Sequence, residues 1–265
     1  MKKTLTILFI AFGGIAVAVP VRSIVAARNA VVASTEQSHH TAADYIQDGL
    51  IIMFDGIENA GWGLHNANAT NWVELIGQFT ILDRGNKTFE NNCALFSYGN
   101  GKDRIQIEYI TPANGLLTVE TMFMPTKDQP QHFIVTQSYN GGWALAYYRN
   151  SGDAYFNACD KIDGAYKYQH TLFAVNEKNR FTCIIDSDCL RLMRNGKANE
   201  PVAFNALKRY SAGSSYSWTI IGAADWFGNG AMIGRVYFVR IYNRALSGEE
   251  IQHNYQIDKE RFGIE

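Results

Sequence analysis

Short runs of alternating apolar and polar residues fill most of the chain from residue 49 onward. Alternation with a period of two is typical of a β-strand that buries one face. Segment 104–109 is the clearest case, because Ile105, Ile107 and Tyr109 occupy every second position. The predicted strands lie at 50–54, 95–98, 104–109, 116–124, 132–136, 143–148, 154–156, 171–175, 180–185, 190–193, 218–221 and 233–242.

Turn residues separate these runs at the spacing of β-hairpins. Segment 140–142, Asn-Gly-Gly, stands between two predicted strands, and Asn195 with Gly196 follows another. Such residues favour tight turns between antiparallel strands. The chain lacks the alternating helices that a parallel sheet needs. The pattern therefore predicts an all-β sandwich of two antiparallel sheets.

One short helix is predicted close to the C-terminus. Ser247 can cap it, Glu250 follows three residues later, and Ile251 and Tyr255 lie four residues apart. Ser and Glu at this spacing form a capping box at a helix N-terminus. The predicted fold class is thus all-β with a short C-terminal helix.

The N-terminus has the pattern of an export signal. Lys2 and Lys3 precede an apolar run over 5–21, and small residues follow as far as Ala27. This arrangement predicts a signal peptide over 1–27, cleaved near Ala27. The alternative is an uncleaved membrane anchor, because the run approaches the length that spans a bilayer. A polar linker over 28–48 and a single domain over 49–265 are predicted to follow.

Composition and charge narrow the class of partner. Hydrophobic residues make up 47% of the chain and charged residues 18%, which supports a packed core. The net charge of −1 leaves no basic excess to neutralise phosphates, so nucleic acid is excluded as a partner. The export signal predicts a secreted, periplasmic or cell-surface protein. It would touch a membrane only through the N-terminal segment, if that segment stays uncleaved.

The four cysteines, Cys93, Cys159, Cys183 and Cys189, all lie in the exported part. Export permits disulfides, and four cysteines allow three connectivities. Cys183 and Cys189 flank a predicted hairpin tip, where they could face each other. Each cysteine could equally be a small buried hydrophobe. The sequence leaves both alternatives open.

The end of the chain resembles a known family. The tail 234–251 resembles the closing motif of laminin-G-like domains, which belong to the concanavalin A-like lectin/glucanase superfamily. In that family a long last strand carries the sequence found here at Arg240-Ile241-Tyr242-Asn243-Arg244-Ala245-Leu246-Ser247, and a short helix begins at the serine. Segments 49–56 with 72–77 resemble the opening strand and loop of exported bacterial members, and 181–197 resembles a family hairpin. The resemblance implies a concanavalin A-like jelly-roll sandwich, in which the closing motif is structural.

Catalytic residues of that superfamily are not evident. Its glycosidases place carboxylates at Glu-x-Asp-x-x-Glu spacing, which alternation brings to one face of a strand. The spacing is absent, since Glu120 and Glu108 each stand alone in their strands. His132 and His170 are interpreted as ordinary sheet residues. The sequence favours a protein that is not an enzyme, although carboxylates from distant strands could still form a glycoside hydrolase or polysaccharide lyase.

A carbohydrate-binding module needs flat aromatic rings and a few polar groups on a concave surface. Trp143 and Tyr147 lie four residues apart in one predicted strand and share a face, although Trp143 could instead fill the core. Asp225 and Trp226 lie in a predicted loop before the last strand. These four residues are the predicted ligand-binding residues.

A third aromatic cluster and a calcium site complete the set of candidates. The third cluster is Trp62 with His65 in the opening loop. No cofactor is required, but the resemblance allows calcium at a loop edge, and candidate oxygen ligands cluster at Asp55, Glu58 and Asn59 and at Asp186 and Asp188. The predicted partner is a glycan or a cell-surface protein, and the remaining alternative is a purely adhesive protein-binding domain.

Overall fold

Almost every element of the structure is a β-strand, as the alternating sequence predicts. The structure is a computed structural model. It describes residues 7–12, 15–20, 40–90, 92–97, 103–108, 110, 114–126, 131–137, 142–148, 153–159, 165–172, 175–205, 218–224 and 230–264.

The strands are numbered in chain order, and α1 denotes the C-terminal helix. They are β1 Ile7–Phe12, β2 Ile15–Pro20, β3 Leu50–Asp55, β4 Ile81–Arg84, β5 Thr88–Glu90, β6 Cys93–Phe96, β7 Arg104–Glu108, β8 Leu117–Pro125, β9 Gln131–Gln137, β10 Trp143–Tyr148, β11 Asp153–Cys159, β12 Tyr166–Leu172, β13 Asn179–Ile185, β14 Cys189–Arg194, β15 Lys197–Ala198, β16 Val202–Ala203, β17 Trp218–Ile221 and β18 Gly234–Tyr242, followed by α1 Gly248–Phe262.

Two antiparallel sheets form a sandwich in the described part of the chain. The seven-stranded sheet has the order β12-β11-β10-β9-β17-β7-β4. The nine-stranded sheet has the order β15-β14-β13-β8-β18-β6-β5, with β16 paired to β14 and β3 paired to β18. The all-β sandwich predicted from the alternation is confirmed.

The hydrophobic core lies between the two sheets. Leu145 and Phe156 of the seven-stranded sheet share one buried cluster with Val119, Phe181 and Ile241 of the nine-stranded sheet. Successive residues of a strand point to opposite faces. Arg240 and Tyr242 therefore point to the outer face of the nine-stranded sheet, as the alternation in this strand predicts.

Helix α1 covers that outer face. Ser247 caps the helix and exchanges hydrogen bonds with Glu250, which confirms the predicted capping box. Gly263 ends the helix in the left-handed conformation, at φ 64°, which costs a glycine little. Ile251 and Ile257 of the helix pack against the sheet.

Residues just before the predicted boundary at residue 49 pack against the domain, which their polar composition does not predict. Residues 42–48, assigned to the linker by their polar composition, are part of the unit Thr41–Glu265. The Tyr45 hydroxyl donates to Asp258 at 2.8 Å, and the Ile46 N–H donates to Asn254 at 3.0 Å, so this segment is attached to α1. The difference arises because short polar segments can dock through a few buried contacts without an apolar pattern.

Residues Met1–His40 form a second unit, in which β1 and β2 pair as an antiparallel hairpin. No described helix is both long and apolar enough to cross a membrane. The signal peptide stays a prediction.

The hairpin of β13 and β14 decides between the two interpretations of its cysteines. Cys183 lies opposite Leu192, and Cys189 follows the turn, so the register keeps the two sulfurs apart. Cys93, Cys183 and Cys189 carry free thiols, and burial raises the pKa of the Cys93 thiol to about 12. The Cys159 side chain lies outside the described residues. Cys93 and Cys183 are thus small buried residues.

Strand β12 lies elsewhere than predicted. The apolar run at 171–175 predicts a strand there, whereas the strand occupies Tyr166–Leu172. Along β12 only Gln169 is buried, because this strand is at the edge of its sheet. Pairing with β11 defines the strand, and an apolar pattern therefore could not locate it.

Candidate functional site

Two of the predicted ligand-binding residues lie in the core. Trp143 is 1% exposed and Tyr147 is also buried, and both belong to the cluster between the sheets. They share a face, as predicted, but that face points inward. Their rings support the sandwich, which is the alternative that the sequence left open for Trp143.

The other two predicted ligand-binding residues, Asp225 and Trp226, lie outside the described residues. The described residues on either side of segment 225–229 are Ala224 and Gly230. Both lie next to Phe133, on the outer face of the seven-stranded sheet. A role for Asp225 and Trp226 in binding remains a prediction.

An exposed aromatic surface occupies the outer face of β11 and β12. Alternation sends Ala154, Phe156 and Ala158 into the core, and the residues between them outward. The residues that form this tyrosine surface are Asp153, Tyr155, Asn157, Tyr166, Tyr168, His170 and Leu172.

The rings of the tyrosine surface are in mutual contact. Tyr155 stacks on His170 with ring centroids 5.5 Å apart and 19° between the planes. Tyr155 also contacts Tyr168 at 6.0 Å. Tyr168 is 56% exposed and Tyr166 is 44% exposed, so ring faces meet solvent beside a half-buried Tyr155. Aromatic faces of this kind attract apolar C–H surfaces.

Polar groups lie among these rings. His170 Nδ1 is 3.3 Å from Asp153 Oδ2, and the side chains are 56% and 12% exposed. Asn157 pairs across the strands with Tyr168. A carboxylate, an imidazole and an amide thus offer hydrogen-bond partners beside aromatic faces, which is the combination that a ligand rich in hydroxyl groups requires.

The outer edge of β12 is occupied by side chains from the opposite sheet. The Asn199 amide donates to the His170 carbonyl at 2.6 Å, and the Arg194 guanidinium donates to the Leu172 carbonyl. Gln169 reaches the carbonyls of Leu190 and Glu200. Because the His170 and Leu172 carbonyls of β12 already accept these hydrogen bonds, the edge of β12 is poorly suited to pairing with a strand of another protein.

The tyrosine surface is not among the predicted ligand-binding residues, although the sequence contains a signal for it. In 166–172, Tyr166, Tyr168 and His170 fall at every second position, with Lys167 and Gln169 between them. The pattern has the period of a strand but lacks an apolar face. Aromatic residues on the solvent side of an edge strand were therefore the available indication. His170, interpreted as an ordinary sheet residue, is exposed, whereas His132 is buried.

The isolated carboxylates have different surroundings. Glu120 is fully buried beneath α1 and pairs with Arg180 at 2.5 Å and Arg240 at 3.1 Å. It therefore has a structural role. Glu108 lies at the exposed end of β7.

The first candidate calcium cluster does not fit a hard cation. Asp55 and Glu58 both pair with the Arg261 guanidinium, at 2.8 and 3.0 Å. Their remaining oxygens accept backbone N–H groups, and the Asn59 side chain bonds to the Asn66 backbone. Burial raises the pKa of Asp55, and Arg261 opposes that shift. The cluster thus holds the opening loop to α1.

In the second candidate calcium cluster, Asp186 is engaged within the protein and Asp188 is exposed. Asp186 pairs with Arg191 at 2.5 Å and accepts the Ser187 N–H, so it stabilises the turn after β13. Among the described residues, no group of three or more His, Cys, Asp or Glu side chains could hold a metal ion.

The opening loop carries the third aromatic cluster. Trp62 is 44% exposed, and its indole N–H donates to the Leu75 carbonyl at 2.8 Å. His65 Nδ1 lies 3.0 Å from the Ile57 carbonyl. Among the described residues, no ring contact joins Trp62 to another aromatic side chain, in contrast to the rings of the tyrosine surface.

Comparison with solved structures identifies similar folds. The botulinum neurotoxin serotype D binding domain has a TM-score of 0.60 and 15% identity, covering 80% of this chain and 52% of that one. A serotype D ligand binding domain in complex with N-acetylneuraminic acid has a TM-score of 0.58 and 16% identity, and the match covers 80% of this chain and 51% of that one. A type DC binding domain in complex with rat synaptotagmin II has a TM-score of 0.58 and 11% identity, and the match covers 81% of this chain and 52% of that one. At this identity the likeness shows the fold, and this chain spans about half the length of these proteins.

Comparison of sequences identifies the family. No curated protein matched the sequence. The laminin G family model described as the Concanavalin A-like lectin/glucanases superfamily matches residues 99–252, which is more than half of the chain. That match includes β12 and all of β18, the strand in which the closing motif begins. The chain therefore belongs to the concanavalin A-like lectin/glucanase superfamily.

Proposed function

We propose that this protein is an exported, non-catalytic binding module that recognises carbohydrate through the tyrosine surface. The carrying observation is the set of contiguous, partly exposed rings of Tyr155, Tyr168 and His170 on the outer face of β11 and β12. Sugar rings present apolar C–H faces to such rings, while their hydroxyls bond to groups such as Asp153 and Asn157.

The structural neighbours agree with a binding role. One serotype D ligand binding domain is in complex with N-acetylneuraminic acid, and cell entry of botulinum neurotoxin type C is dependent upon interaction with two ganglioside molecules. Because this chain covers about half of each, the neighbours support the class of function, and the location of the site depends on the tyrosine surface alone.

A glycan array with the purified protein and three single variants, Tyr168→Ala, Trp62→Ala and Trp226→Ala, tests the proposal. Tyr168→Ala removes a largely exposed tyrosine ring of the surface. We expect this variant to bind at least about tenfold more weakly to the glycans that the unmodified protein binds on the array. Trp62→Ala is the matched control, because it removes an exposed ring from another part of the domain. We expect Trp62→Ala to bind normally.

Four other results would contradict the proposal. Equal binding by Tyr168→Ala and the unmodified protein would move the site away from β12. Loss of glycan binding only in Trp62→Ala would place the binding site at the opening loop. Loss of glycan binding only in Trp226→Ala would support Trp226, the residue predicted from the sequence, as part of the site. A blank array would favour the adhesive alternative, for which the exposed Leu172 beside the tyrosines is the supporting observation.

A further inference from the structure

The exposed part of the tyrosine surface is much longer than it is wide. Tyr166, Tyr168, His170 and Leu172 follow one another at alternate positions of β12. Tyr166 and Leu172 are six residues apart, and at a rise of about 3.3 Å per residue the row is about 20 Å long. Leu172, at the far end, is 68% exposed. The surface is therefore open along the whole strand.

Across the strands the surface ends after β11. Ala146 lies opposite Tyr155 and Ala144 lies opposite Asn157 on the next strand, β10. Both alanines are buried with Phe133 and Ala224. On the other side β12 is the edge of the sheet. The open width is thus about two strands, or about 10 Å.

The charges on this surface do not favour an acidic ligand. The positions of β11 and β12 that share the outer face include Asp153 and His170 but no Lys or Arg. Lys167 belongs to the alternate set of positions, and Arg194 is engaged by the Leu172 carbonyl and lies 3.7 Å from Glu177. Among the described residues of this face, a ligand carboxylate placed on the rings would meet the Asp153 carboxylate, and no Lys or Arg side chain lies at these positions to offset it.

We infer that the tyrosine surface binds a linear, neutral oligosaccharide that lies along β12, with several sugar rings in contact at once. This inference depends on the proposed function and specifies its ligand class. A chain that crosses the strands would meet only one aromatic ring on β12 and one on β11 before it reached the covered alanines of β10. A chain along β12 meets Tyr166, Tyr168, His170 and Leu172 in turn, and Tyr155 of β11 lies beside them.

Calorimetry with oligosaccharides of defined length tests the inference. The probes are cello-, xylo-, manno- and laminari-oligosaccharides of one to six rings, with oligogalacturonates of equal length and sialyllactose as acidic probes. For at least one neutral series we expect affinity to rise about tenfold or more with chain length and then level off. The acidic probes should bind more weakly than neutral ones.

Two variants locate the chain on the strand. Tyr166→Ala removes a ring near the end of the surface and should weaken the long chains while leaving the shortest binding probe unchanged. Tyr155→Ala removes the central ring and should weaken every length. Trp62→Ala serves as the control and should match the unmodified protein at each length.

Several outcomes would overturn the inference. They are affinity independent of length, stronger binding of the acidic probes, equal effects of Tyr166→Ala at all lengths, and no binding by any neutral series. Failure of the proposed function is distinguishable. If a single sugar or sialyllactose binds and Tyr168→Ala abolishes that binding, the proposed function stands while the extended neutral ligand is wrong.

Discussion

At the scale of single residues, strand β18 uses arginine in two ways. Arg240 is fully buried, pairs with Glu120 and Asp258, and lies between the rings of Tyr45 and Phe238 at 3.8 and 4.0 Å. Arg235 pairs with Glu90 at the surface. A buried charge that loses its partner is costly, whereas an exposed pair contributes little.

We expect Arg240→Met to lower the free energy of unfolding by about 3–5 kcal/mol, because it leaves two buried carboxylates with less compensation. Arg235→Met, on the same strand, should cost no more than about 1 kcal/mol. Urea denaturation followed by circular dichroism measures both. Similar losses in the two variants would show that the buried pairs are not what fixes α1 to the sheet.

At the scale of elements, the start of α1 is joined to the end of β18 by one ion pair. Arg244 holds Glu250 with two hydrogen bonds of 2.8 and 2.6 Å, and Glu250 also accepts the Ser247 N–H. The Arg244 hydrogen bonds lower the pKa of Glu250 from 4.5 to about 2. The stabilisation from this carboxylate is therefore present above pH 4.5 and is lost as the pH falls toward 2.

We expect Glu250→Gln to lower the melting temperature at pH 7 and to have a smaller effect at pH 3, where the unmodified protein loses part of the same stabilisation. Thermal unfolding at the two pH values measures the difference. Glu249→Gln is the control, since it removes a carboxylate from the same turn of the helix. An effect of Glu250→Gln that is as large at pH 3 as at pH 7 would rule out the pair as its source.

At the scale of the whole molecule, the domain depends on a segment that precedes its first sandwich strand. Ala42 and Tyr45 are buried in the cluster that joins α1 to the nine-stranded sheet. The Ala42 N–H donates to Glu58 at 2.6 Å, and the Tyr45 hydroxyl donates to Asp258. The segment thus contacts the opening loop and the C-terminal helix, which are far apart in sequence.

We expect a chain that begins at residue 41 to unfold cooperatively. A chain that begins at residue 49 should be less stable by roughly 3–5 kcal/mol, because it lacks the buried ring of Tyr45. Differential scanning calorimetry of the two chains, with Tyr45→Phe to separate the ring from its hydroxyl, measures this contribution. Equal stability would mean that residues 41–48 dock without supporting the fold.

Local patterns predicted much of the fold correctly. The strand predicted from alternation is present over Arg104–Glu108, and the closing strand, the Asn195-Gly196 turn and the Ser247–Glu250 capping box are present as well. At Asn195 and Gly196 φ is 47° and 76°, the positive values that such a turn requires. Each of these features depends on residues within a few positions of one another, and a sequence displays them directly.

The sequence by itself thus determined the class of fold, the strands with an alternating apolar face, the helix with its cap and the family. Tertiary structure decided which aromatic residues are accessible. Strand periodicity shows that Trp143 and Tyr147 share a face, but only the packing of one sheet on the other turns that face inward. Likewise, Tyr168 is exposed because β12 is an edge strand, and edge position follows from pairing between distant segments rather than from local residues.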